Sequence, residues 1–149
     1  MSIKINYKNT SLKNHLNNII LFTDEKFNIK PLNRSISKSE YSYIKDLLKN
    51  SDFKKNLLVF ELSSKKVIVL VSIKKDLENS QIENLGAELY GRINYGKNKD
   101  YSIDTDNINF KHNNFIGYLL HGLKLKSYEF NKYKTKKETR LITLNVFGN

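Results

Sequence analysis

Three histidines are the residues of this 149-residue sequence best suited to metal binding or acid–base chemistry. His15 and His112 stand beside asparagine-rich stretches, whereas His121 lies in an apolar segment with helical spacing. No two of them have the i, i+4 spacing with which a zinc-binding helix presents its ligands. A structural or surface role is therefore favoured over a metal role for each histidine.

Two carboxylates offer a second possibility, because Asp104 and Asp106 would project to one side of an extended strand. No third ligand lies near them in the sequence, so a solvated loop is the preferred interpretation. The glycines form neither a phosphate-binding loop nor the elbow of a serine hydrolase. With no cysteine, thiolate metal sites and cysteine nucleophiles are excluded. The sequence accordingly assigns no catalytic, cofactor-binding or metal-binding residue.

The charge is strongly positive, since 26 lysines and arginines against 15 acidic residues give +11. Such a surplus raises the possibility of binding to a polyanion. Only three of the basic residues are arginines, however, and lysine lacks the bidentate fork of arginine. A solvated basic surface is therefore preferred to a nucleic-acid site. Without a long apolar run or a signal-like start, the sequence predicts a soluble, cytoplasmic protein with a single domain over residues 1–149.

Patterns of apolar residues predict strands interleaved with helices. Strand-like segments occur at residues 3–7, 19–22, 57–62, 67–73, 101–103, 108–110 and 141–147. The third and fourth are separated by four polar residues, which predicts an antiparallel hairpin. Capping boxes starting at Ser37 and Ser80 predict two helices, the second ending near Gly96, and a third is predicted over residues 114–127. This order predicts an α/β sandwich around a mixed sheet.

The third helix contains Gly117 and Gly122, each of which lowers helix propensity by roughly 1 kcal/mol. A close approach of this helix to a neighbouring element would compensate that cost. Leu125 and Tyr128 are predicted to continue its apolar face, and Phe130 and Tyr133 to hold the exiting chain against the domain.

The segment from residue 121 to 137 has the most distinctive pattern in the sequence. It resembles the end of the N-terminal domain of M17 leucyl aminopeptidases, where a helix runs into a Gly-x-x-Leu-x-x-Tyr-x-Phe-x-x-Tyr-Lys-Thr signature. The matching residues are Gly122, Leu125, Tyr128, Phe130, Tyr133, Lys134 and Thr135. The resemblance implies a macro-domain-like three-layer sandwich, with a mixed sheet flanked by helices.

The same resemblance implies a larger parent protein, a hydrolase that releases N-terminal residues from peptides. Its C-terminal domain would hold two divalent metals, zinc or manganese, and the protein would form a hexamer. The motifs of that catalytic domain do not occur in this sequence. The chain is therefore expected to be inactive alone, and to serve oligomer assembly and access to the active site of its catalytic partner domain.

Two other functions remain open. One is a basic nucleic-acid-binding module, in which lysines interleaved with aromatic residues contact DNA; the candidates are Lys124, Lys126, Lys132, Lys134, Lys136 and Lys137. The other is ADP-ribose binding by analogy with macro domains, which rests on fold alone. It is disfavoured at this point because no glycine-rich loop is placed to hold a diphosphate.

Overall fold

The computed structural model describes the main helices and strands of the chain. The described residues are 3–8, 18–24, 26–27, 29, 37–50, 56–63, 66–74, 77–95, 100–105, 115–132 and 142–147. The strands are β1 (Ile3–Lys8), β2 (Asn18–Asp24), β3 (Leu57–Ser63), β4 (Lys66–Ile73), β5 (Asp100–Asp104) and β6 (Ile142–Phe147). The helices are α1 (Lys38–Leu48), α2 (Asn79–Tyr95) and α3 (Phe115–Lys132).

The six strands form one mixed sheet in the order β1-β6-β5-β2-β4-β3. Five of them run parallel, and only β3 is antiparallel, paired with β4 in the predicted hairpin. The neighbouring strands β2 and β4 are almost continuously apolar, because both of their faces are covered. The predicted fold class, an α/β sandwich around a mixed sheet, is confirmed.

Alternating side chains of β2 enter two separate cores. Ile20 and Phe22 pack with residues of α2 and α3 on one face of the sheet. Ile19 and Leu21 pack with Ile44 of α1 on the opposite face. The helices therefore lie in two layers, with α2 and α3 together on one side and α1 on the other.

Helices α2 and α3 meet backbone to backbone at two glycines. A Cβ built on Gly86 would lie 1.9 Å from the carbonyl oxygen of Leu119, and one built on Gly122 would lie 1.9 Å from that of Glu83. The close approach predicted for Gly122 is confirmed. Gly117, for which the same reason was expected, is solvent-exposed, and a close approach there stays a prediction.

The start of α1 agrees with the prediction, whereas one end of α2 and one end of α3 differ from it. The capping box of Ser37 and Glu40 is present at the start of α1. At α2 the cap lies two residues earlier than expected, because the Gln81 side chain accepts a hydrogen bond from the Glu78 backbone N–H at 2.7 Å. Helix α3 continues five residues beyond its predicted end, to Lys132. The predicted strand at 108–110 and the predicted stop at Gly96 fall outside the described residues.

None of the described helices is long and apolar enough to cross a membrane.

Candidate functional site at the carboxyl edge of the sheet

The order of the strands creates a switch point between β2 and β5. These neighbours are parallel, but the chain leaves β2 for α1 on one face of the sheet and leaves β5 for α3 on the other. In open α/β sheets, such a divergence opens a crevice outside the carboxyl ends of the strands, where ligands bind. The candidate site is therefore built from the residues that end β2 and β5.

Asp24 ends β2 and organises a tight turn. One carboxylate oxygen of Asp24 accepts a hydrogen bond from the backbone N–H of Lys26 at 3.0 Å. The backbone carbonyl of Asp24 accepts from the N–H of Phe27 at 3.1 Å and from the Ser72 hydroxyl of β4 at 3.3 Å. The turn thus fixes the end of β2 to the neighbouring strand while leaving the Asp24 side chain exposed to solvent.

Phe27 gives this turn an unusual conformation. Its φ of 55° lies in the left-handed region, which costs a non-glycine residue roughly 1–2 kcal/mol. The ring of Phe27 is buried with Ile19 and Leu21 in the core beneath α1. Burial of the ring stabilises the strained backbone, and strain of this kind is commonly found where a chain positions a ligand.

Asp104 ends β5 and is buried, with only 3% of its surface exposed. The next residue, Thr105, donates from both its N–H and its hydroxyl to the carbonyl oxygen of Phe147, at 2.9 and 2.7 Å. These bonds hold the ends of β5 and β6 together. The expectation of a solvated loop at Asp104 was wrong, because the residue belongs to a central strand; Asp106 lies outside the described residues.

The amino-terminal end of α3 lies at the same edge. Phe115, its first residue, packs edge-on against Phe22 of β2, with ring centroids 5.9 Å apart and planes at 89°. Phe22 stands two residues before Asp24, so the ring contact places the start of α3 beside the switch point. The amino-terminal end of a helix carries partial positive charge, which favours an anion.

A polar cleft of about 220 Å³ extends this edge toward α2. It begins at Ser72, the residue whose hydroxyl bonds to the Asp24 turn. Its walls carry amide, ammonium and carboxylate groups; the lining residues are Asn56, Ser72, Lys74, Leu77, Gln81, Asn84, Leu85 and Glu88. The carboxyl edge therefore carries the exposed carboxylate of Asp24, a helix amino terminus and a polar cleft, while Asp104 is buried at the end of β5.

The residues of the sequence signature lie elsewhere. Gly122 contacts α2, but Leu125 and Tyr128 are 51% and 50% exposed. The prediction that they continue the apolar face of α3 was therefore wrong. The side chain of Phe130 and residues 133–135 fall outside the description.

The basic candidates are only partly described. Lys124 and Lys126 are exposed on α3, and a nucleic-acid role for them stays untested. The side chain of Lys132, together with Lys134, Lys136 and Lys137, falls outside the description.

Of the histidines, only His121 can be located. Its Nδ1 lies 2.5 Å from a carboxylate oxygen of Glu83, so it links α3 to α2 at the surface. His15 and His112 are outside the described residues. Within the described ranges, no three histidine, aspartate or glutamate side chains gather as a metal site would require.

Comparison of the whole structure with solved structures decides the fold. A structure titled "Macrodomain of Thermus aquaticus DarG" is similar with a TM-score of 0.61, at 10% sequence identity, over 99% of both chains. The chain has the macrodomain fold. A macrodomain protein from Streptomyces coelicolor is also similar, with a TM-score of 0.53 and 10% identity over 98% of this chain and 99% of that one. No family model and no curated protein sequence matches the chain.

These similarities correct the M17 interpretation. The chain matches macrodomains over their whole length, rather than an aminopeptidase N-terminal domain. The expected aminopeptidase parent, its catalytic partner domain and its hexamer are therefore wrong, and the implied dimetal centre loses its basis. The alternative of a nucleic-acid-binding module gains no support from these neighbours either. The macro-domain-like architecture that the resemblance implied is the part that is confirmed.

Sequence reasoning missed Asp24 altogether. The available signal was a carboxylate directly after a continuously apolar strand, at residues 19–24. That signal becomes informative only when the neighbouring strand is known, because Asp24 and Asp104 are 80 residues apart in the chain.

Proposed function

We propose that this protein is an ADP-ribose-binding module whose ligand lies at the carboxyl edge of the sheet, across the ends of β2 and β5. The observation that carries the proposal is the switch point itself, where Asp24 ends β2 beside β5 and the amino terminus of α3 packs through Phe115 on Phe22. The similarity to macrodomains, in fold alone, supports the same ligand class.

Each part of ADP-ribose has a complementary group at this edge. A diphosphate is an anion, and the amino-terminal end of α3 favours negative charge. Ribose hydroxyls and the adenine amino group are hydrogen-bond donors, and the carboxylate oxygens of Asp24 can accept such bonds. The net charge of +11 adds long-range attraction for an anionic ligand.

The lack of a glycine-rich loop does not oppose this proposal. The role of a glycine-rich loop in a phosphate site is to let backbone N–H groups approach the phosphate. The partial positive charge at the amino terminus of α3 attracts an anion without any glycine. The sequence-based objection concerned one means of holding a diphosphate, and the fold provides another.

Isothermal titration calorimetry tests the proposal with ADP-ribose, AMP and ribose 5-phosphate. We expect saturable binding of ADP-ribose and weaker binding of either fragment. Asp24→Asn keeps the oxygen that accepts from Lys26 but removes the charge, so it should weaken ADP-ribose binding about tenfold or more. Asp46→Asn, an exposed residue of α1, is the matched control and should bind like the unaltered protein. No detectable binding at millimolar ADP-ribose would refute the proposal.

A further inference from the structure

A second and larger opening, of about 990 Å³, lies beside the carboxyl-terminal half of α2. Its floor is the outer part of the sheet, formed by Val59 of β3 and by Val67 and Val69 of β4. Ala87 and Gly91 of α2 form its wall. Val59 is 38% exposed, and its strand pairs on one side only among the described strands. We call this opening the α2 trough.

Gly91 distinguishes the trough from the other side of α2. Glycine inside a helix costs about 1 kcal/mol relative to alanine. At Gly86 the contact with α3 explains that cost, because any Cβ would strike the Leu119 backbone. At Gly91 a Cβ would meet no described atom within 4 Å. The contacts described within one chain therefore give no reason for a glycine here, and its bare backbone widens the trough.

The charges around the trough balance, unlike those of the whole protein. Glu61 and Glu88 are negative, and Arg92 and Lys126 are positive, so the four sum to zero in a chain of +11. None of these four side chains forms an ion pair with a residue that the structure describes. Glu88 and Arg92 stand one turn apart on α2, so both project along the same side of the helix.

We propose that the α2 trough is the interface of a homodimer, in which two copies pack trough against trough about a two-fold axis. In a two-fold dimer, a contact between one residue of the first copy and another residue of the second copy occurs twice, with the copies exchanged. With the two α2 helices antiparallel, Glu88 of one copy faces Arg92 of the other, twice. The exposed Val59 of each copy, and the half-buried Val67 beside it, are then removed from water.

The charge pattern favours a second copy over a different partner. A purely acidic or purely basic surface would match only half of the rim and would repel the other half. A second copy carries both signs in the required positions. The remaining positive charge of each copy opposes association, but the neutral trough adds no net charge at the contact itself.

Sedimentation velocity on the full chain tests this interface over a range from about 1 µM to about 200 µM, which spans weak to moderate affinities. We expect the unaltered protein to shift from monomer to dimer as concentration rises. Glu88→Arg and Arg92→Glu should each lower dimer affinity about tenfold or more. The double exchange Glu88→Arg with Arg92→Glu should restore the dimer, because opposite charges again face each other.

Mixing the two single variants gives a sharper result. At positions 88 and 92, the Glu88→Arg variant carries two positive charges and the Arg92→Glu variant two negative charges. A heterodimer of the two variants should therefore form at concentrations where neither variant dimerises alone. Circular dichroism of each exposed-site variant establishes that it is folded. A monomer at every concentration overturns the proposal, as does a dimer that neither single variant weakens.

Discussion

Gly122 of α3 lies directly against the backbone of Glu83 in α2, so close that a methyl group would overlap the Glu83 carbonyl. Gly86 makes the reciprocal approach to α3. These contacts bring the two helices together above the sheet, and α3 then extends from the helix pair to the carboxyl edge at Phe115. The glycines therefore help to position the proposed ligand site.

Gly122→Ala should destabilise the protein by about 1–3 kcal/mol or more, because the added methyl forces two packed helices apart. Urea denaturation measures the free energy of unfolding. Gly91→Ala is the matched control: with open space around it, the substitution should stabilise a monomeric sample by up to about 1 kcal/mol. Equal effects of the two substitutions would contradict this account of the helix contact.

Phe27→Gly should be less destabilising than Phe27→Ala, by about 1 kcal/mol. Both variants lose the buried ring, but glycine adopts the left-handed conformation at φ 55° without the cost that alanine bears. Thermal unfolding of the two variants side by side measures the difference. If the alanine variant is the more stable, the backbone at this turn is not strained.

The ionisation of Glu40 makes the stability of the protein depend on pH in the acid range. Partial burial opposes the charged form, but the hydrogen bond from Lys66 and the contacts with Ser37 outweigh it, so the pKa of Glu40 lies below its ordinary value of 4.5. A carboxyl with a lowered folded-state pKa stabilises the protein above 4.5 and loses that contribution as the pH falls through the folded-state value.

Glu40→Gln tests this dependence, because glutamine can keep the capping role at α1 while removing the charge. At neutral pH we expect the variant to be less stable by at most about 1 kcal/mol, since the ion pair is partly solvated. Denaturation over a pH series should show the difference shrinking below about pH 4.5. A difference that is constant with pH would assign the effect to packing instead.

Asn18 joins three strands at the opposite edge of the sheet. From β2, its amide donates to the Asp100 carbonyl of β5 at 2.9 Å and accepts from the Val67 N–H of β4 at 3.0 Å. Asn18→Ala leaves both backbone groups without their partner and should cost about 1–3 kcal/mol. Urea denaturation measures the loss, with Asn6→Ala at the half-buried Asn145 contact as a milder comparison. Equal losses would indicate that burial of the Asn18 amide is unimportant.

Local features were predictable from the sequence, whereas the site was not. The α1 cap depends on residues three apart, Ser37 and Glu40, and the β3–β4 hairpin on neighbouring strands, so both follow from short-range pattern. The site depends on which strands become neighbours, which no local pattern specifies. The M17 signature misled because Leu125 and Tyr128 match its spacing, yet they lie on the exposed side of α3 and report little about the interior.

The placement of β6 has a consequence for how the protein forms during translation. Strand β6 lies between β1 and β5, and Ile3 of β1 pairs beside Ile142 of β6. An emerging polypeptide can assemble β2 to β5 as they are made, but β1 must wait for a strand synthesised some 139 residues later. Such distant pairings slow folding, and they leave β1 open to wrong partners until synthesis reaches β6.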